Sequence, residues 1–256
     1  MDKAPLTLRE RQLEYLRILK ELDRYCNENH LRYYIGCGTL IGAVRHKGFI
    51  PWDDDLDVFM PRPDFIKMES GYCSDDFSLR TLRNDKEHPF NFGRLCSNNV
   101  YSLFNGRKYN NFGIDIYLIN GAPTSRKEQL EHIKKVQRHN KRRKKLVRFR
   151  NSLFRRNLWP FGSLSFYPLR REILKAESLF EKYDFETSEY IWPFGGGRLI
   201  LKKELYGSPI KLKFEDGLFN APEHYDDVLR LAYGDYMQLP PEDKRHPYHG
   251  GEYFYR

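Results

Sequence analysis

The residues from Gly36 to Asp57, GCGTLIGAVRHKGFIPWDDDLD, constrain this chain more than any others, because a glycine-rich turn and four aspartates must share one supersecondary unit. Asp53, Asp55 and Asp57 recur at a spacing of two and run into Val58, Phe59 and Met60. Side chains alternate between faces along a strand. A strand here puts the three aspartates on one face and Leu56, Val58 and Met60 on the other, with Asp54 outside the set. Carboxylates packed side by side repel, and burying them unpaired is costly, so a cation has to compensate them. Hard oxygen donors point to Mg²⁺ or Mn²⁺. The alternative is a solvated acidic turn after Pro51; the apolar continuation LDVFM favours the metal-binding strand.

The glycine end supplies the complementary part. Tyr33 to Ile35 read as a short strand and Thr39 to His46 as a short helix, with Gly36 and Gly38 at the junction. Glycines there allow a tight turn and close backbone approach, and the free N–H groups of the following helix attract phosphate. The dinucleotide-binding fingerprint does not fit, since the spacing is GxGxxxG and a cluster of acids follows instead of one ribose-binding acid. A further carboxylate lies in GIDIYL, where Asp115 interrupts an apolar strand. Two readings stay open for it. Beside the strand of Asp55 and Asp57 it would complete a three-carboxylate clamp for two metals about 3.5 to 4 Å apart; on an edge strand it would simply face water.

The segment GTLIGAVRHKGFIPWDDDLDVFMPRPDF resembles the signature of the LicD family, related to fukutin and fukutin-related protein. GIDIYLING around Asp115, FEDGLFNAPEHYDDVLRLAYGDYM from Phe214 and LPPEDKR from Leu239 agree with it, whereas the middle, from about Glu128 to Ile191, matches little. The resemblance implies an α/β (α+β) fold: a polymerase β-like nucleotidyltransferase core with a mixed sheet, here a single domain over 1–256 with a helical, basic insertion at about 126–190. It implies that Gly38 and Thr39 form the donor-binding turn, that Asp55 and Asp57 are paired metal ligands and catalytic residues, and that Asp115 is the third carboxylate. Asp53 matches an acidic position as an auxiliary metal ligand, and Arg45 and His46 match positions suited to donor phosphates. The implied reaction is metal-dependent transfer of a phospho-alcohol, phosphocholine from CDP-choline before others, to a hydroxyl of a cell-surface glycan or teichoic-acid precursor, releasing CMP. Alternatives are a ribitol- or glycerol-phosphate transferase, a true nucleotidyltransferase of the same fold, or a non-enzymatic relative that binds membrane or RNA.

Composition bounds these readings. A chain of 256 residues can bury a substantial core. No apolar run of eighteen residues and no apolar N-terminal h-region occur, so neither a membrane span nor a secretory signal is expected, and the expected location is cytoplasmic. Cys26, Cys37, Cys73 and Cys96 show no CxxC pairing, which argues for reduced thiols and against structural zinc.

Charge is local. Between Lys134 and Arg156 stand twelve Lys or Arg and no acid, so the net +9 of the chain arises there and the remainder sums to −3. Leu146, Phe149 and Leu153 fall at i, i+3 and i+7 within this run, and Phe154, Leu158, Trp159, Phe161 and Phe166 follow. That pattern suits an anionic membrane surface, where each nearby cation is worth about 1 kcal/mol. Nucleic acid would draw on the same cations, although none is expected as a partner, and a solvated helix with its apolar side in the core is the plain alternative. Family members that modify lipid-carried glycan precursors favour the inner face of the membrane.

Elsewhere the elements are coarse but legible. Thr7 and Glu10 form a capping box before a helix to about Asn29, with Leu8, Tyr15, Leu19, Leu22 and Cys26 inward. A helix is expected from Pro63 to about Tyr72, strands over Ser78 to Leu82, Arg94 to Ser97 and Ile114 to Leu118, helices over Arg126 to Arg150 and Pro168 to Tyr183, and a hairpin from Ile210 to Phe219. FGGGR at Phe194 to Arg198 reads as a turn, and His246 and His249 lack identifiable partners.

Overall fold

A computed structural model describes residues 4–86, 88–104, 107–155, 166–193, 197 and 199–256. Most of the basic run falls within them; Arg156, Leu158, Trp159 and Phe161, the side chains of Phe154 and Phe166, and most of FGGGR lie outside the described residues. The chain divides into two compact units, one of residues 1–79, 94–117 and 204–256, the other of 80–93 and 118–203. The architecture is mixed α/β, with six helices among the described residues.

In the first unit the capping box forms as expected. Glu10 N–H donates to the Thr7 hydroxyl at 3.3 Å, and the Glu10 carboxylate accepts from Thr7 N–H at 2.7 Å. This starts α1 (Leu8–Glu28), whose Tyr15, Ile18, Leu19, Leu22 and Cys26 are buried, while Leu8 at its first turn is only half-buried. Then come β1 (Tyr34–Ile35), α2 (Cys37–Arg45), β2 (Asp57–Pro61), α3 (Arg62–Gly71), β3 (Phe77–Arg80) and β4 (Gly93–Ser97). The short strands β5 (Val100–Phe104) and β6 (Arg107–Tyr109) lead to β7 (Gly113–Ala122). The strand order is β1-β2-β7-β4-β3, which sets β7 beside β2.

Two features of β7 bear on the site. Along it Ile114, Ile116 and Leu118 are buried while Gly113, Asp115 and Tyr117 are half-buried, the two-residue alternation of a strand. Gly113 is required where it stands, because a Cβ there would lie 2.3 Å from the Leu95 carbonyl oxygen, and that close approach to β4 fixes the strand two residues before Asp115.

The hairpin β10 (Ile210–Phe214) and β11 (Gly217–Ala221) turns through Glu215, whose φ of +55° is left-handed. A glutamate is tolerated there because its carboxylate is occupied, accepting from Phe49 N–H at 3.1 Å and from Arg9 Nη2 at 2.6 Å. α6 (Tyr225–Tyr233) follows, and β12 (Tyr253–Tyr255) pairs with β5.

The second unit holds α4 (Arg126–Arg155), α5 (Phe166–Phe180), β8 (Tyr190–Trp192) and β9 (Leu201–Lys202). β8 pairs antiparallel with Asn120 to Ala122 of β7 and with β9. Ile133 and Val136 of α4 pack with Ala176 and Phe180 of α5, Ala122 and Trp192. The buried face of α4 is therefore set near its start. Leu146 and Leu153 are half-buried and Phe149 is 57% exposed, so the apolar positions within the basic run do not form a core face.

Candidate functional site

The site lies within the first unit, where α2 begins against the entry to β2. The hydrogen-bonded strand starts at Asp57, and Asp53 to Leu56 lie outside it, which corrects the expectation of one strand through all three aspartates. The reason is local. β1 has only two residues, pairs with Val58 and Phe59 and then gives way to α2, so on that side no strand partner reaches the residues before Asp57. The preceding backbone is held otherwise: Asp53 N–H donates to the Ile50 carbonyl at 2.9 Å, Gln12 Nε2 donates to the Asp53 carbonyl at 3.0 Å, and Asp115 N–H donates to the Leu56 carbonyl at 3.2 Å.

These bonds still bring the four carboxylates together. Burial pushes the Asp53 carboxyl up to about 7, helped by the charge of Asp55 and a hydrogen bond with it. Asp55 is raised by burial and by Asp54 and Asp115, with His249 pulling the other way. Asp57 is raised well above its ordinary value by burial, then by Asp55 and Asp115. Each aspartate feels the others, which is the signature of a cluster short of positive charge. Asp54, outside the strand, turns to the C-terminal segment: it is 2% exposed and accepts the backbone N–H groups of Tyr248 at 3.1 Å and His249 at 3.0 Å.

Glycine and threonine of the α2 turn serve this cluster directly. A Cβ on Gly38 would stand 2.6 Å from Asp53 Oδ2, so only glycine lets that carboxylate reach the helix start. The Thr39 hydroxyl accepts from Asp57 N–H at 3.0 Å, anchoring the first residue of β2. Between them Cys37 has a left-handed φ of +47°, with its thiol between Asp57 and the Tyr233 hydroxyl. Arg45 and His46 are directed elsewhere: Arg45 Nη1 donates to the Tyr236 carbonyl at 2.7 Å, and the His46 ring lies edge-on to Trp52.

Two partners were not visible in the sequence. Arg94 of β4 grips Asp115 with both arms, Nε to Oδ1 at 2.5 Å and Nη2 to Oδ2 at 3.0 Å. Burial opposes the guanidinium charge, and attraction to Asp115 more than offsets it, holding its pKa above the ordinary value. His249 Nδ1 lies 3.3 Å from Asp55 Oδ2 and 3.4 Å from Asp54 Oδ1. Both depend on long-range placement; the resident cation of Asp115 sits 21 residues away on a neighbouring strand.

The donor chemistry fits a hard divalent cation. Four carboxylates converge with one arginine among them, and all offer oxygen. Among the described residues, however, no group of three or more His, Cys, Asp or Glu side chains is drawn in tightly enough to grip an ion. None of the four cysteines, all among the described residues, forms a disulfide.

Residues 30–166 match the model of the LicD/FKTN/FKRP nucleotidyltransferase domain. The chain is also 32% identical over 260 residues to the lipopolysaccharide cholinephosphotransferase LicD of Haemophilus influenzae, covering 95% of this chain and 96% of that protein. The chain belongs to the LicD family. Uncharacterized proteins of Rickettsia prowazekii and Rickettsia typhi are each 38% identical over 60 residues, 23% of this chain and 23% and 19% of theirs. The LicD family match takes in Asp53, Asp55, Asp57, Arg94 and Asp115. Among the described residues no helix is long and apolar enough to cross a membrane.

Proposed function

We propose that this protein transfers phosphocholine from CDP-choline to a hydroxyl of a surface glycan, a lipopolysaccharide or teichoic-acid precursor, and releases CMP. The observation that carries this reading is the convergence of Asp53, Asp55, Asp57 and Asp115 at the start of α2, in a chain similar over nearly its whole length to a lipopolysaccharide cholinephosphotransferase. Asp55 and Asp57, with Asp115 and Asp53 beside them, would hold Mg²⁺ or Mn²⁺. Such an ion, when bound, neutralises the charge of a donor diphosphate.

The chain's own groups supply orientation. The amides of Gly38 and Thr39, in the first turn of α2, face the phosphate with the positive end of the helix. Thr39 keeps Asp57 in register, and Arg94 keeps Asp115 directed through its two-armed contact. The acceptor oxygen forms its bond to phosphorus as the bond to the CMP oxygen breaks, its proton passing to a carboxylate of the cluster, and no protein nucleophile is needed; position and charge provide the rate. Tyr117 favours choline over a polyol, because its half-buried ring stands next to Asp57 and Asp115, and an aromatic face beside carboxylates suits a trimethylammonium group.

The test is thermal unfolding with Mg²⁺ plus CDP-choline, CDP-ribitol, CDP-glycerol or CTP, on wild type and Asp55→Asn. A ligand at a hundred times its dissociation constant adds about 2.7 kcal/mol, worth roughly 2 to 4 °C per kcal/mol at this size. A metal-dependent shift with CDP-choline alone, absent in Asp55→Asn, is the expected result. A larger shift with another CDP-alcohol reassigns the donor, and no shift with any of them refutes the transferase reading of the site.

A further inference from the structure

The basic run is not used by the site just described. No Asp or Glu occurs from His132 to Arg171. Some cations of α4 serve the fold of the second unit: Arg143 donates to the Pro89 carbonyl at 2.9 Å, and Arg142 lies 3.9 Å from Glu172. Lys134, Arg138, Lys141, Lys145 and Arg148 do not. All five are exposed, and none has an ion-pair partner among the described residues.

Their spacing makes them one surface. Steps of four and three residues keep them within a stripe about 100° wide, and the fourteen residue steps from Lys134 to Arg148 span about 21 Å of helix. Phe149 adjoins the stripe and is 57% exposed. Leaving five like charges unpaired along one line is unfavourable in the isolated protein, so the stripe is suited to an extended anionic partner. A line of cations on a convex helix, ending in an apolar ring, fits a plane of anionic headgroups into which the ring can dip. Binding to single-stranded nucleic acid uses a succession of aromatic platforms, and the described stripe has one.

We infer that the exposed face of α4 from Lys134 to Phe149 is a docking surface for an anionic lipid membrane. The inference concerns the second unit alone and does not depend on the phosphocholine reading. The test is co-sedimentation of the full chain, without donor or metal, with vesicles containing phosphatidylglycerol, with vesicles of phosphatidylcholine alone, and with a single-stranded RNA.

Phosphatidylglycerol vesicles should bind at least about tenfold better than neutral ones and lose binding at high salt. The variant Lys141→Glu, Lys145→Glu, Arg148→Glu should lose it, with a circular dichroism melt like wild type showing that it folds. Phe149→Ser, with charge unchanged, should weaken vesicle binding several-fold, as loss of one inserted ring requires. Equal binding by the charge-reversed variant, no binding to anionic vesicles, or tight RNA binding indifferent to Phe149→Ser would each overturn the inference, the last by assigning the face to nucleic acid.

Discussion

Arg94 is a half-buried cation among the site carboxylates, and Arg94→Met tests its part in holding the cluster together. The substitution keeps an unbranched apolar stem and removes the charge, leaving Asp115 facing Asp55 and Asp57 without its two-armed partner. Removing one partner of a buried pair costs about 3 to 5 kcal/mol. The Arg94 and Asp115 side chains are 25% and 18% exposed, so water recovers part of this. A loss of about 2 to 3 kcal/mol is expected, which lowers the unfolding midpoint by roughly 5 to 10 °C. The assay is a thermal melt in EDTA of wild type, Arg94→Met, Asp115→Asn and the double variant. Because the cost is mainly an orphaned charge, the double variant should recover at least half of it, a coupling characteristic of contacting residues. Added Mg²⁺ should raise the midpoint of Arg94→Met more than that of wild type. A melt of Arg94→Met within a degree of wild type, or a double variant that simply sums the singles, would refute the reasoning.

Three further outcomes follow from the same physics. Asp53 keeps its proton up to about 7 in the folded chain against an ordinary 3.8, so the stability it contributes is present at low pH and lost as pH rises through that window. Asp53→Asn should therefore be more stable than wild type at pH 8 in EDTA, by at most about 4 kcal/mol, with the gap closing near pH 5 and on adding Mg²⁺; equal melts at pH 8 would contradict it. His132 is 4% exposed, and burial pushes its imidazole down to about 4, with Lys182 and Lys135 acting in the same direction. Its contribution is present above the ordinary 6.5 and lost as pH falls toward 4, so urea midpoints should drop across that range and less so in His132→Phe; an imidazole resonance titrating near 6.5 would rule this out. Asp54→Ala orphans the Tyr248 and His249 amides and should cost about 2 kcal/mol, read as a lower melt and faster proteolysis at residues 246–251; an unchanged cleavage rate would show that Asp54 does not hold the tail.

The sequence by itself determined whatever depends on neighbours within a few residues. Thr7 and Glu10 start α1 through a reciprocal bond over three positions, and Asp115 and Tyr117 share a face because strand geometry alternates. The family was legible too, since a run from Gly38 through Asp57 is a local pattern. The tertiary structure decided where pairing partners are scarce or distant. β1 offers β2 only a two-residue partner; Thr39 turns its hydroxyl to Asp57 N–H; α4 buries its early turns and exposes Phe149. Above all, Arg94 meets Asp115 and His249 meets Asp55 across 21 and 194 residues of chain. Periodicity says which way a side chain points, but the ion that answers a charge is set by which strands and loops come to lie side by side.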